Sequence, residues 1–138
     1  MNETDGDISF GVNQSITNDD LNALFASAWS ASWPQSYWRD FQPMLDHSLV
    51  HVCAYHASLL VGFVNLVWDG DCHAYVSEAV VHPDFQRRGI GTRLVHQAIE
   101  LARQNGVTWV HVDYEPHLQG FYQGCGFRPS CAGVIRLK

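Results

Sequence analysis

The stretch HPDFQRRGIGTRL, residues 82–94, sets Gly89 and Gly91 one residue apart with Arg87, Arg88 and Arg93 around them. A run of β-forming residues precedes it and a helix-forming run follows. A strand that passes through glycines into a helix start leaves N–H groups without intrahelical partners, under a partial positive charge. The glycines also let an anion approach bare backbone. The chemistry this spacing suggests is capture of a phosphate-like group by backbone N–H groups, with arginine support. A second candidate is Glu78, in the middle of the otherwise apolar run HAYVSEAVV. A carboxylate there is partly desolvated, which raises its pKa toward the range useful to a base. The competing reading turns it to solvent or onto a histidine of an adjacent strand.

Two common phosphate-binding loops do not fit. A Walker loop needs a lysine after its last glycine, and the only lysine is Lys138. A dinucleotide fingerprint wants a third glycine, where Leu94 stands, and a place near the first strand, whereas this turn comes late in the chain.

The elements that would position these residues read as follows. DISFGVNQSI is a first strand, and TNDDLNALFASAW is a helix capped by Thr17, with Asp19 and Asp20 in its first turn. SASWPQSYWRDF breaks at Pro34 and leads into a short helix ending near His47. Residues 49–71 give two strands around a turn at His56 to Ser58, and HAYVSEAVV gives a third, stopped by Pro83. From Gly91 to Asn105, Leu94, Val95, Ala98, Ile99 and Ala102 mark one helix face, and Gly106 stops it. VTWVHVDY is a strand, HLQGFYQGCGF a short helix and CAGVIRLK a last strand. The order β-α-α-β-β-β-α-β-α-β is a layered α/β architecture in a single domain spanning 1–138.

The turn resembles the acetyl-coenzyme A signature of the GCN5-related N-acetyltransferase (GNAT) superfamily: a strand, a proline, then Q/R-x-x-G-x-G/A opening a helix. Here that is VVHPDF followed by Gln86-Arg87-Arg88-Gly89-Ile90-Gly91, with VTWVHVDY and FYQGCGF downstream at the family's usual distance. The resemblance covers roughly residues 60–128 and implies the acyl-CoA N-acyltransferase fold, a mixed, mostly antiparallel central sheet flanked by helices. It implies an enzyme that moves the acetyl group of acetyl-CoA to a primary amine of a small molecule or peptide by direct attack. Backbone N–H groups from Gln86 to Thr92 would hold the pyrophosphate, and a strand N–H of Val80 or Val81 would polarise the thioester carbonyl. Tyr122, just before Gly126-Phe127, matches the family's general acid; without that motif it reads as a packed ring on the helix's apolar stripe. Glu78 is the candidate base, a water chain the alternative, and His111 and Asp113 are either structural or a proton relay. Trp29, Trp33, Tyr37 and Trp38 crowd the region that covers the acceptor in this family, either as core or as an apolar, cation-binding wall. One departure is Glu115, where the family often carries an asparagine for the pantetheine arm.

Composition excludes several classes. Net charge is −6, so no nucleic-acid partner is expected, although four of the eight Lys and Arg residues fall between 87 and 103. No apolar run is long enough to span a membrane, and the acidic N-terminus lacks the features of a signal peptide, so the expected location is cytoplasmic. The four cysteines form no C-x-x-C pair and the eight histidines no H-E-x-x-H; free thiols and no metal are expected. The alternative to an enzyme is a non-catalytic acyl-CoA-binding sensor or dimeric interaction module. A homodimer is expected, through the C-terminal strand or the aromatic segment 29–41.

Overall fold

The computed structural model describes residues 2–5, 7–29, 33–34 and 37–138; residues 30–32 and 35–36 of the aromatic connection lie outside the described residues. One six-stranded sheet runs β1 (Asn2–Asp5), β2 (Ile8–Val12), β3 (Ser48–His56), β4 (Leu59–Trp68), β5 (His73–Val81) and β6 (Trp109–His111), in chain order. All neighbours are antiparallel except β5 and β6. That one parallel pair requires a crossover, supplied by α3 (Ile90–Gln104). The mixed, mostly antiparallel sheet expected from the sequence is therefore present.

Each face carries its own helices and core. On one face, α3 buries Ile90, Leu94, Val95, Ala98 and Ala102 against Phe10, Val52, Ala54, Val64 and Val76. This spacing keeps one side of a 15-residue helix apolar. On the other, α1 (Asn18–Ala28) and α2 (Gln42–Asp46) lie over Cys53, Phe63 and Val80, with Leu21, Leu24, Phe25 and Phe41 fully buried between. Thr17 caps α1 by accepting from the Asp20 N–H at 3.1 Å, as its sequence suggested. A final short helix, α4 (Gln119–Gly124), follows a 3-10 turn at Pro116–Leu118.

Three expectations need correction. CAGVIRLK forms no strand: residues 128–138 are outside helix and strand and exposed, with Val134, Ile135 and Leu137 above 80% exposure. A strand needs a partner ladder, and β6 itself is only three residues long. The expected strand at 107–114 shortens to Trp109–His111 for a related reason, because the chain leaves the sheet after His111. A strand at Asn2–Asp5, unforeseen, pairs with β2 through Asp5↔Ile8.

Candidate active site

β5 is the centre of the site, and its backbone explains why. Its parallel pairing with β6 covers only His73, Ala74 and Tyr75. Beyond Tyr75, no described strand pairs with its outer edge. The His82 N–H donates to the Val61 carbonyl of β4 at 2.7 Å. Antiparallel ladders alternate, so Val80 and Glu78 also direct their backbone groups to β4, while Val81 and Ala79 direct theirs to the open edge. The strand N–H available for a ligand is thus that of Val81, not Val80, which is committed to the sheet. The Gln86 side chain already reaches this edge, its Nε2 donating to the Val81 carbonyl at 3.2 Å.

Side-chain direction changes within β5. Val76 faces the α3 core, and regular alternation would send Glu78 there too. The register instead skips from Leu66↔Val76 to Asn65↔Glu78, leaving Ser77 as a one-residue bulge. Ala79 and Val81 then fall on the α3 side, and Glu78 joins Val80 on the α1–α2 side. There its carboxylate takes a 3.2 Å ion pair from Arg39 Nη1, with side-chain exposures of 21% for Glu78 and 35% for Arg39. Burial raises the Glu78 pKa above its ordinary value, and Arg39 pulls in the opposite direction. Beside it, the fully buried Asn65 donates Nδ2 to the Ser77 hydroxyl at 2.9 Å, and its Oδ1 has no hydrogen-bond partner among the described residues.

The glycine turn sits at the end of β5. After a 3-10 turn at Pro83–Phe85, Arg87 has φ +63° and Gly89, the N-cap of α3, φ +78°. Left-handed backbone costs a non-glycine residue about 1–3 kcal/mol, and such positions cluster at ligand clamps. A Cβ at Gly89 would meet nothing within 4 Å, so that side of the turn is open. At Gly91 it would lie 3.3 Å from the Phe121 ring and 3.5 Å from Val81. Gly91 therefore admits α4 against α3, whereas the sequence suggested that its bare backbone faces the anion. Thr92, the last of the turn residues, hydrogen-bonds Cys125 and ties α3 to the end of α4.

The arginines are not equivalent. Arg88 pairs with Asp7 at 2.5 Å and lies over Phe85, and Arg93 lies over Phe10 at 4.4 Å. Arg87 has no ion pair among the described residues. A shallow groove along the first turns of α3 is lined by Arg88, Gly89, Thr92, Arg93 and His96.

Tyr122 is 6% exposed and stacks on Tyr114, with Phe121 and Phe127 edge-on to it. Burial, then Cys125 and Asp113, raise its pKa, so the phenol stays protonated at neutral pH. No hydrogen bond holds its hydroxyl among the described residues. The thiol of Cys53, pushed up to about 12 by burial and by Asp20, is inert as a nucleophile.

Other expected residues separate. His111 pairs with His73 at 2.8 Å and stacks on Tyr75, three positions before Glu78, about 10 Å along the strand. Asp113 is exposed beyond the end of β6, and Glu115 caps the 3-10 turn without a side-chain hydrogen bond. Trp29 and Trp33 pack on Phe25, and Tyr37 packs edge-on to Trp33. Trp38 is 56% exposed, its Nε1 near Asp19 at 3.4 Å.

Sequence reasoning missed Arg39 and Asn22. The buried Asn22 grips the Arg39 backbone twice, accepting from its N–H at 2.9 Å and donating to its carbonyl at 2.8 Å. The legible signal was Arg39 itself, the only Lys or Arg among residues 1–86. No helix among the described residues is long and apolar enough to cross a membrane, and they hold no cluster of three or more metal-ligating side chains.

Residues 18–127 match the Acetyltransferase (GNAT) family. An uncharacterised N-acetyltransferase, ycf52, of Pyropia yezoensis is 36% identical over 77 residues, which are 56% of this chain and 44% of that protein. Serotonin N-acetyltransferase 2, chloroplastic, of Oryza sativa subsp. japonica is 29% identical over 122 residues, 86% of this chain and 61% of that protein. The match thus spans 44% to 61% of the length of these relatives. Among solved structures, a GNAT-family acetyltransferase from Streptococcus pneumoniae TIGR4 superposes with a TM-score of 0.76 at 26% identity, over 95% of this chain and 98% of that one. With its signature turn opening α3 and the family match extending from α1 to Phe127, the chain belongs to the GNAT acetyltransferase family.

Proposed function

We propose that this protein is an acetyl-CoA-dependent N-acetyltransferase acting on a primary amine. The observation that carries the reading is the open outer edge of β5, which ends at the glycine turn opening α3. The fit to the coenzyme rests on two features: the outward backbone groups of Ala79 and Val81, and the open side of Gly89. Bound acetyl-CoA supplies the activated acetyl group. The turn from Gln86 to Thr92 holds its pyrophosphate through N–H groups, with Arg87 the side chain available for charge. The Val81 N–H polarises the carbonyl as an oxyanion donor. Glu78 takes the proton of the acceptor amine, and Tyr122, neutral at working pH, protonates the leaving thiolate.

The acceptor lies on the α1–α2 face, where Tyr37 and Trp38 are exposed beside Asp19 and Asp40. An amine on an aromatic or apolar frame suits such a wall, as in the relative named for serotonin. Thiol release from acetyl-CoA across a panel of primary amines tests the reading. Amine-dependent release that Glu78→Gln abolishes supports it, and coenzyme binding without release from any amine points to a sensor.

The assembly we propose is a homodimer, supported by the exposed Val134, Ile135 and Leu137 and by Trp109, 51% exposed on the edge strand. Sedimentation at micromolar concentration decides it: a mass near 15.5 kDa rejects the dimer.

A further inference from the structure

The Arg39–Glu78 pair is built rather than incidental. Arg39 lies in residues 37–41, outside helix and strand, yet α1 fixes it at several points. Asn22 clamps the Arg39 backbone on both sides. Asn18 accepts from the Phe41 N–H at 2.8 Å and donates to Asp40 at 3.0 Å. The guanidinium then lies 4.6 Å over the Phe41 ring while Nη1 meets Glu78. A cation held by one carboxylate and one aromatic face is the environment that binds an organic ammonium.

We propose that Arg39 is a resident counter-ion occupying the acceptor's place at Glu78, and that the enzyme selects a protonated primary amine able to displace it. This rests on the reading of Glu78 as the acceptor-side carboxylate. Charge favours exchange of one cation for another. Arg39 is the charge that acts on the Glu78 carboxyl. The other titratable groups on the elements of this face are Asp19 and Asp20 of α1, Asp40 beside Arg39, and His51, Cys53 and Tyr55 of β3. None of these is an arginine or lysine, so Arg39 is the cation an arriving ammonium must replace. Displacement costs little, because a partly exposed ion pair is weak. The exchange moves no covalent bond: the guanidinium swings to solvent and the ammonium takes its hydrogen bond.

Carbon-13 NMR titration of the Glu78 carboxyl, its resonance identified by loss in Glu78→Gln, tests the first half. In Arg39→Gln the midpoint moves to higher pH, because the group that favours the carboxylate is gone, and Arg39→Lys returns it toward wild type. A midpoint that stays in place overturns the proposal. Calorimetric binding of phenethylammonium to the coenzyme A-loaded protein tests the second half. Glu78→Gln weakens binding about tenfold or more, and Arg39→Gln strengthens it about two- to fivefold. A merely structural Arg39 would weaken binding on removal. Equal or weaker binding in Arg39→Gln, or none by wild type, overturns the proposal. If both halves hold but Glu78→Gln leaves the acidic limb of kcat/KM unmoved, the counter-ion role stands and the base assignment falls.

Discussion

The two faces of the sheet are built on different principles. The α3 face is regular: one long amphipathic helix, an all-apolar core, and a turn whose work is done by backbone torsion angles at Arg87 and Gly89. The α1–α2 face combines short helices, a nest of rings around Phe25, and three polar side chains, Asn22, Asn65 and Glu78, set among them. On the proposed reading, the coenzyme common to the family is met by main chain, whose demands are few and strict, and the acceptor by side chains, whose demands are many and local.

The largest effect is expected at Tyr122 of α4, the proposed acid. Tyr122→Phe lowers turnover about 10²- to 10⁴-fold with coenzyme affinity unchanged. Because burial raises the phenol's pKa, the wild type keeps its acid form and shows no alkaline limb from this group below its ordinary pKa of about 10. Steady-state rates across pH check both statements, and full activity in the Phe variant reduces Tyr122 to packing.

Gly89→Val comes next. The left-handed N-cap costs a β-branched residue about 1–3 kcal/mol, and its side chain enters the open side of the turn. Coenzyme binding weakens about five- to hundredfold, while phenethylammonium binding to the coenzyme-free protein is preserved. Loss of both in a folded variant would mean that the faces are not separable.

The smallest effect is expected on the opposite face. Asn22→Ala removes two hydrogen bonds to the Arg39 backbone and costs about 1–3 kcal/mol of stability, read by denaturant unfolding. The acceptor's KM changes and coenzyme affinity does not. Equal change in both would break the comparison.

The same contrast explains what could be read in the sequence. Gly89 was legible because a positive φ leaves few residues to choose from, and α3 because its apolar spacing runs over 15 residues. Glu78 stood out as a charge in an apolar strand, but its partner is 39 positions away and no local pattern connects them. Gly91 was assigned to the ligand because local sequence cannot show that Phe121 packs there. CAGVIRLK alternates like a strand, yet strand formation depends on a neighbour rather than on composition. The N-terminal strand had a signal that went unused, the Gly6-Asp7 dipeptide, a composition that commonly joins two strands in a tight hairpin. The Arg39 clamp was invisible because asparagines in a helix read as surface until the chain folds back on them.

The bulge at Ser77 gives β5 a phase change, and phase is set by register. Deleting Ser77 makes the pairs Leu66↔Val76 and Asn65↔Glu78 consecutive, so the period of two runs unbroken and each half of the strand keeps its faces. A slip that pairs Ser77 with Asn65 does the opposite: Glu78 comes opposite Val64 and enters the apolar α3 layer, and Val81 turns its backbone inward. That slip keeps the core and loses the site, so in this strand register matters more than the identity of the bulged residue. A homologue could exchange Ser77 for many side chains, or lose the position, provided Glu78 stays opposite Asn65.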